Sequence, residues 1–133
     1  MNENRIEVTF RGNLKVEANY KGFKVMTDQP VYSGGEGSAP SPFDLFLISI
    51  ATCAGYYFLA FCKERKISTE GARVIMSMEK DPEKKMIGRL LIDLFLPAGF
   101  PEKYKEAVKR VVDNCTVKLH IFNPPEFVIR VND

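Results

Sequence analysis

The sequence predicts an α+β fold with its elements in the order βββαββαβ. Three observations lead there. Several short runs alternate apolar with polar residues, the period of a half-buried strand. One stretch, Leu45 to Cys62, carries no charge and is preceded by helix-start signals. A later stretch places Tyr104, Ala107, Val108, Val111, Val112 and Cys115 at helical spacing, so that one apolar stripe faces a core.

In chain order, Ile6, Val8 and Phe10 alternate with polar residues as a first strand. Leu14, Val16, Ala18 and Tyr20 form a second. Lys21-Gly22 then supplies a two-residue turn into a third strand, Phe23–Asp28, because glycine readily takes the positive φ such turns need. Pro30 to Pro42 holds three prolines besides several glycines and serines, which excludes a helix or a central strand. A loop of this length in a small domain usually has a function or is mobile.

The central helix has a sharp start. Ser41 suits the cap, Pro42 the first helical position, and Asp44 sits three residues after the cap, as in a capping box. Lys63, Arg65 and Lys66 place positive charge in the last turn, where it favours the helix dipole. A helix this apolar on every side is either buried all round or spans a membrane. Ser49, Thr52, Gly55, Tyr56 and Tyr57 dilute it, so the reading is a buried helix and not a membrane span. Its length, about 25 residues or roughly 37 Å, is more than a small monomer covers, which predicts a homodimer that buries it from both subunits. Two strands follow, Gly71–Lys80 and Met86–Leu96, joined by an Asp81-Pro82-Glu83-Lys84 turn. A helix from Pro101 to about Cys115 comes next, then an irregular segment, Pro124-Pro125, and a last strand with Phe127, Ile129 and Val131 on one face.

The 133 residues fit one domain spanning the chain, 1–133. Hydrophobic content of 45% and charged content of 27% are those of an ordinary globular protein. A formal charge of +2, with no long basic run, argues against nucleic acid as a partner. The polar N-terminus lacks the apolar core of an export signal, so a cytoplasmic location is expected. Three cysteines, an odd number, do not suit a disulfide framework, and no CxxC or zinc spacing is present.

The thiols are the main chemical candidates. Cys53 lies mid-helix, and Cys115, 62 positions later, ends the apolar stripe. Cys62 is nine residues beyond Cys53, about half a turn out of phase, and so faces away from it. Composition and spacing alone leave all three as small apolar core residues. A thiol must ionise to react. Cys53 is too deep in the helix for the dipole to help, so a cation would have to come from elsewhere in the fold. Arg5, Arg11 and Arg73 are the candidates, with Asp44 the nearest accompanying carboxylate. His120, the one histidine, reads as a surface or satisfied side chain rather than a base. Glycines 34, 35 and 37 match neither phosphate-binding pattern.

The run GGEGSAPSPFDLFLISIATC, the element order and a second cysteine just over sixty residues later resemble the osmotically inducible protein C and organic hydroperoxide resistance proteins (OsmC/Ohr), and nearer their less characterised branch. That resemblance covers nearly the whole chain. It implies an OsmC-like fold in an intertwined homodimer, with the central helices buried between two sheets. It implies a peroxidase that uses neither flavin nor metal. Cys53 would be the cysteine that attacks the peroxide and Cys115 the one that resolves it, with an external dithiol as reductant. It also implies an arginine, best matched by Arg11 with Arg5 as substitute, held by a carboxylate near the helix start. The chain departs from the pattern in two places. The family glutamate falls at Phe43, leaving Asp44 one residue on, and Thr116 stands where proline often follows the second cysteine.

The leading expectation is therefore a thiol-dependent peroxidase for organic hydroperoxides, with Phe43, Phe46, Tyr56 and Tyr57 shaping an apolar pocket. The alternatives are a non-catalytic dimer that binds a small apolar ligand, and a redox sensor acting on a protein partner.

Overall fold

The computed structural model describes residues 4–133, so the first three residues of the polar N-terminal run lie outside it. The chain divides into two compact units, one ending at Ile48 and the other running from Ser49 to Asp133.

The first unit is an antiparallel three-stranded sheet followed by a loop. Its strands β1 (Glu7–Phe10), β2 (Val16–Tyr20) and β3 (Phe23–Thr27) lie side by side in sequence order. Tyr20 pairs with Phe23 across the Lys21-Gly22 turn. Both turn residues have positive φ, 52° and 82°, as the twist of a two-residue hairpin requires.

The Pro30–Pro42 loop is tightly built, and Asp28 is the reason. Its side chain is fully buried. The carboxylate accepts from the Gln29 amide at 2.8 Å, the Glu36 amide at 3.3 Å, and the Ser38 amide and hydroxyl at 3.0 and 2.6 Å. One side chain thus ties both ends of the loop together and supplies acceptors for amides the bend leaves unpaired. Gly35 passes so close to the Gln29 carbonyl that a Cβ there would sit 2.0 Å from its oxygen. No side chain fits at that crossing.

The central helix α1 runs from Pro42 to Glu64. Its capping box forms as the sequence indicates. The Asp44 amide donates to Ser41 Oγ at 3.1 Å, and the Ser41 amide donates to Asp44 Oδ2 at 2.9 Å. The helix stops where Lys66 turns left-handed, φ 56°, letting the Ile67 amide reach back to the Cys62 carbonyl at 2.8 Å. Arg65 stacks its guanidinium 3.7 Å from the centre of the Phe61 ring and donates to the Phe61 carbonyl at 3.2 Å. By length and composition α1 is also long and apolar enough to cross a bilayer.

The second unit contains β4 (Arg73–Lys80), β5 (Ile87–Phe95), α2 (Lys105–Asp113) and α3 (Thr116–Phe122). Strands β4 and β5 form an antiparallel hairpin with a bulge at Glu79/Lys80. Its core joins Ala54, Phe58, Phe61 and Cys62 of α1 to Val108 and Val112 of α2, with Phe100 between the ring faces. The stripe read from the sequence is the buried face of α2.

Three features differ from the sequence reading. The helix expected from Pro101 to Cys115 is broken: a 3-10 turn at Glu102–Tyr104 precedes α2, and the helix ends at Asp113. Cys115 is in extended conformation (φ −69°, ψ 151°) at the start of a new helix, α3, where an irregular segment was expected. Val117, Leu119 and Ile121 alternate there like a strand, which hid a seven-residue helix. The last strand does not form among the described residues. Residues 124–133 join no strand ladder among the described residues, and Phe127, Ile129 and Val131 are 83%, 91% and 93% exposed. A strand needs a neighbour to satisfy its backbone, and one copy of the chain gives this segment none.

Helix α1 is likewise only partly covered. Ile50, Ala54, Phe58, Phe61 and Cys62 are buried, whereas Phe43, Phe46, Ile48, Tyr56 and Leu59 are exposed.

The Asp28 carboxyl is held well below its ordinary value, to about 2, chiefly by the Ser38 hydroxyl and amide. Its folded pKa lies below the unfolded one of about 3.9, so it stabilises the fold fully above roughly pH 5 and loses that contribution as pH falls toward 2. Urea melts followed by circular dichroism are expected to show stability dropping across that window. Asp28→Asn is expected to be less stable at pH 7 and to show a flatter acid limb. An unchanged acid limb would count against the assignment.

Candidate functional site: a pair of thiols on α1 and before α3

All three cysteines are free thiols, and their surroundings differ. Cys62 points into the core among Phe58, Phe61 and Val108, fully buried. Burial pushes its thiol above the ordinary value, and the nearby Arg65 charge only partly offsets this. It is half a turn out of phase with Cys53, as the nine-residue spacing requires. Cys53 is half-buried.

The two thiols whose meeting the sequence left open are neighbours. Cys115, fully buried, hydrogen-bonds to Cys53. Burial pushes the Cys115 thiol up most strongly, the Lys118 backbone amide pulls it partly back, and the bond to Cys53 pushes it up again. The pair is asymmetric in burial: Cys115 is fully buried, whereas Cys53 is half-buried.

Local structure explains the meeting. Val108 and Val112 fix α2 against α1, so the chain leaving α2 at Asp113 lies beside α1. The helix breaks at Asn114, whose amide still donates to the Val111 carbonyl at 3.3 Å. Cys115 follows in extended conformation. One turn of α1 beyond Cys53, the Tyr57 hydroxyl lies 2.6 Å from the Thr116 hydroxyl. An ion pair between Lys118 and Asp113 spans the break.

The other residues singled out from the sequence have separate partners. Arg11 makes a two-nitrogen contact with Glu17, Nη2 at 2.7 Å and Nε at 3.0 Å, and this side-chain hydrogen bond lowers the Glu17 pKa. Asp44 serves the capping box. Arg73 stacks over Phe95 at 4.8 Å. His120 Nδ1 lies 2.8 Å from the Thr116 carbonyl, its own helix's first turn. Sequence reasoning missed Glu17 as the partner of Arg11, Asp28 as the loop anchor and the Tyr57–Thr116 contact. The first is a cross-strand geometry that no local spacing reveals. The third rests on a 59-residue separation.

The second unit also carries a groove of about 660 Å³ between β5 and α2, floored by Leu90, Ile92, Leu94 and Val108 and flanked by Lys105 and Lys109. No group of three or more His, Cys, Asp or Glu side chains among the described residues is arranged to hold a metal ion.

Alkylation with iodoacetamide, read by peptide mass spectrometry, is expected to modify Cys53 first. Cys115 and Cys62 are expected to react only after unfolding. Early labelling of Cys62 would contradict the packing described.

Comparison with known proteins gives the thiol pair a context. The family model for OsmC-like protein matches residues 35–130, a span that includes all three cysteines. No curated protein matches the chain. Among solved structures, one from Psychrobacter arcticus 273-4, provisionally assigned as an osmotic stress induced and detoxification response protein, is 25% identical. It superposes with a TM-score of 0.68 over 88% of this chain and 85% of that one. An organic hydroperoxide resistance protein OsmC from Legionella pneumophila, also described as a predicted redox protein and regulator of sulfide bond formation, is 22% identical. Its TM-score is 0.55, over 88% of each chain. An OsmC-like protein from Mycoplasma pneumoniae shares the fold at 16% identity, TM-score 0.61, over 90% of this chain and 87% of that one. The family match over most of the chain shows that the protein belongs to the OsmC-like family, and the three helices and two small sheets among the described residues agree with that fold.

Proposed function

We propose that the protein is a thiol-dependent peroxidase that reduces organic hydroperoxides, with Cys53 and Cys115 as its redox pair. The observation that carries this reading is the side-chain contact between Cys115 and Cys53. A redox role is the theme of the family's named members, and the difference in burial supports the division of parts.

The Cys53 thiolate attacks one oxygen of the O–O bond. That bond breaks, the alcohol leaves with a proton, and Cys53 becomes a sulfenic acid. The Cys115 thiol then condenses with it, releasing water and forming the Cys53–Cys115 disulfide. An external dithiol returns both sulfurs to thiols by exchange. Burial of Cys115 suits a resolving thiol, which must keep its proton until a sulfenic acid forms beside it. Arg11, held by Glu17, remains the proposed source of positive charge for the thiolate. Asp44, which closes the capping box with Ser41, is the proposed carboxylate at the helix start. The reductant and the odd cysteine count fit a reducing, cytoplasmic setting.

We further propose that the working unit is a homodimer. The exposed side of α1 and the unpaired apolar segment Phe127–Val131 are its contact surfaces. Light scattering at micromolar concentration is expected to give twice the chain mass, and a clean monomer would overturn this.

The groove between β5 and α2 favours a second reading, a dimer that binds a small apolar ligand and uses its cysteines only for packing. Cumene hydroperoxide with a recycling dithiol separates the two. The peroxidase reading expects turnover, loss of turnover to background in Cys53→Ser, and in Cys115→Ser a sulfenic acid trappable by dimedone but no disulfide. Cys62→Ala is expected to leave turnover unchanged. A wild-type protein that consumes no hydroperoxide and forms no disulfide would leave the binding reading.

A further inference from the structure

We propose that Tyr57 and Thr116 form a clasp that positions Cys115 for disulfide closure, and so set the redox stability of the Cys53–Cys115 pair. The proposal rests on the thiol pair described above but not on a hydroperoxide being its oxidant.

Two contacts join the same two segments in parallel. Cys53 and Tyr57 are four residues apart on α1, hence on one face and about 6 Å apart along the axis. Cys115 and Thr116 are consecutive. The thiols meet at one level and the hydroxyls, 2.6 Å apart, at the next. The clasp matters because little else holds the downstream side. Upstream, Val112 is anchored in the core. Downstream, α3 has no fully buried residue, and only Val117 and Lys118 are half-buried. The backbone between is broken at Asn114, so it transmits no helical rigidity across the site. The Lys118–Asp113 ion pair ties α3 to the end of α2 but not to α1. Of these contacts, the Tyr57–Thr116 bond is the one that fastens the start of α3 to the helix carrying Cys53.

Disulfide formation needs the two Cα atoms held within about 4.4–6.8 Å while Cys115 swings its sulfur toward Cys53. A tether one residue from the moving sulfur keeps the backbone in range and raises its effective concentration. Thr116 is the position at which this chain differs from the proline its resemblance leads one to expect, and a proline there would have no hydroxyl to meet Tyr57. Both groups act through Cys115, so they are positioning residues and not catalytic ones.

The test is equilibration with glutathione. Two protein thiols give two electrons and two protons to glutathione disulfide, which becomes two glutathione thiols, while the Cys53–Cys115 bond forms. Tyr57→Phe and Thr116→Val are each expected to lower the effective concentration of the pair on the order of 3–10-fold, the range for losing one hydrogen bond. That corresponds to a potential roughly 15–30 mV more oxidising. The double variant is expected to match the worse single one, since both remove the same bond. Thr116→Ser is expected to restore the wild-type value. Equal potentials in wild type, Tyr57→Phe and Thr116→Val would overturn the proposal, as would a wild type that forms no Cys53–Cys115 disulfide under glutathione disulfide. Should Tyr57→Phe fail to fold, Thr116→Val and its serine counterpart decide the matter. If the wild type ignores hydroperoxides yet the potentials shift as described, the peroxidase reading falls and the clasp stands. If it consumes hydroperoxides and the potentials do not move, the clasp falls and the peroxidase stands.

Discussion

Packing of α2 against α1 is the constraint on which the thiol site depends. Val108 and Val112 enter a face made by Ala54, Phe58, Phe61 and Cys62, and Phe100 closes it. Each buried aliphatic or aromatic side chain is worth about 1.5–3 kcal/mol relative to exposure. The face is continuous, so the register of one helix on the other is fixed by shape as well as by apolarity. Two thiols that lie 62 residues apart in sequence become neighbours as a consequence. Neither thiol brings the segments together. A hydrogen bond to sulfur is weak, and the core has already placed the two segments side by side.

The same packing explains why two buried or half-buried cysteines of one helix have different prospects. Cys62 lies on the face that α2 covers, where water and reagents do not reach and ionisation is disfavoured. Cys53, half a turn away, lies beside the chain where α2 has ended. The break after Asp113 is thus as important as the helix before it. Had α2 continued, Cys115 would have been one more side chain on an apolar stripe. In extended conformation it begins α3, whose Lys118 amide donates to its sulfur.

Much of this was legible in the sequence, and the parts that were not have physical reasons. Alternation located the first five strands, since a period of two survives without knowledge of neighbours. The capping box at Ser41–Asp44 placed the start of α1, because capping is a local exchange of hydrogen bonds. The apolar stripe located the buried face of α2, and the phase of Cys62 separated it from Cys53. Breaks and partners were not legible. The end of α2 depends on where the core ends, and α3 runs through a V-K-L-H-I pattern that imitates a strand. Arg11 finds Glu17 across a strand pair and Tyr57 finds Thr116 across half the chain, and neither pairing leaves a trace in spacing. Phe127–Val131 has the pattern of a strand but no strand beside it, which shows that pattern states a capacity and pairing needs a second edge.

Two parts of the chain carry apolar groups that one copy leaves in water, and they make the same demand. On α1 the exposed apolar residues include Phe43, Phe46, Ile48, Tyr56 and Leu59. At the C-terminus, Phe127, Ile129 and Val131 project from an extended segment whose backbone amides and carbonyls also lack strand partners. The first could be met by any greasy surface, a bilayer included. The second could not, because an open strand edge needs hydrogen-bonding partners that hydrocarbon does not supply. A neighbouring protein surface with its own free strand edge satisfies both at once, and this chain has such edges on β1, β3, β4 and β5. A partner of identical sequence is the simplest source of all these surfaces, and a two-fold axis would present each copy's α1 to the other's.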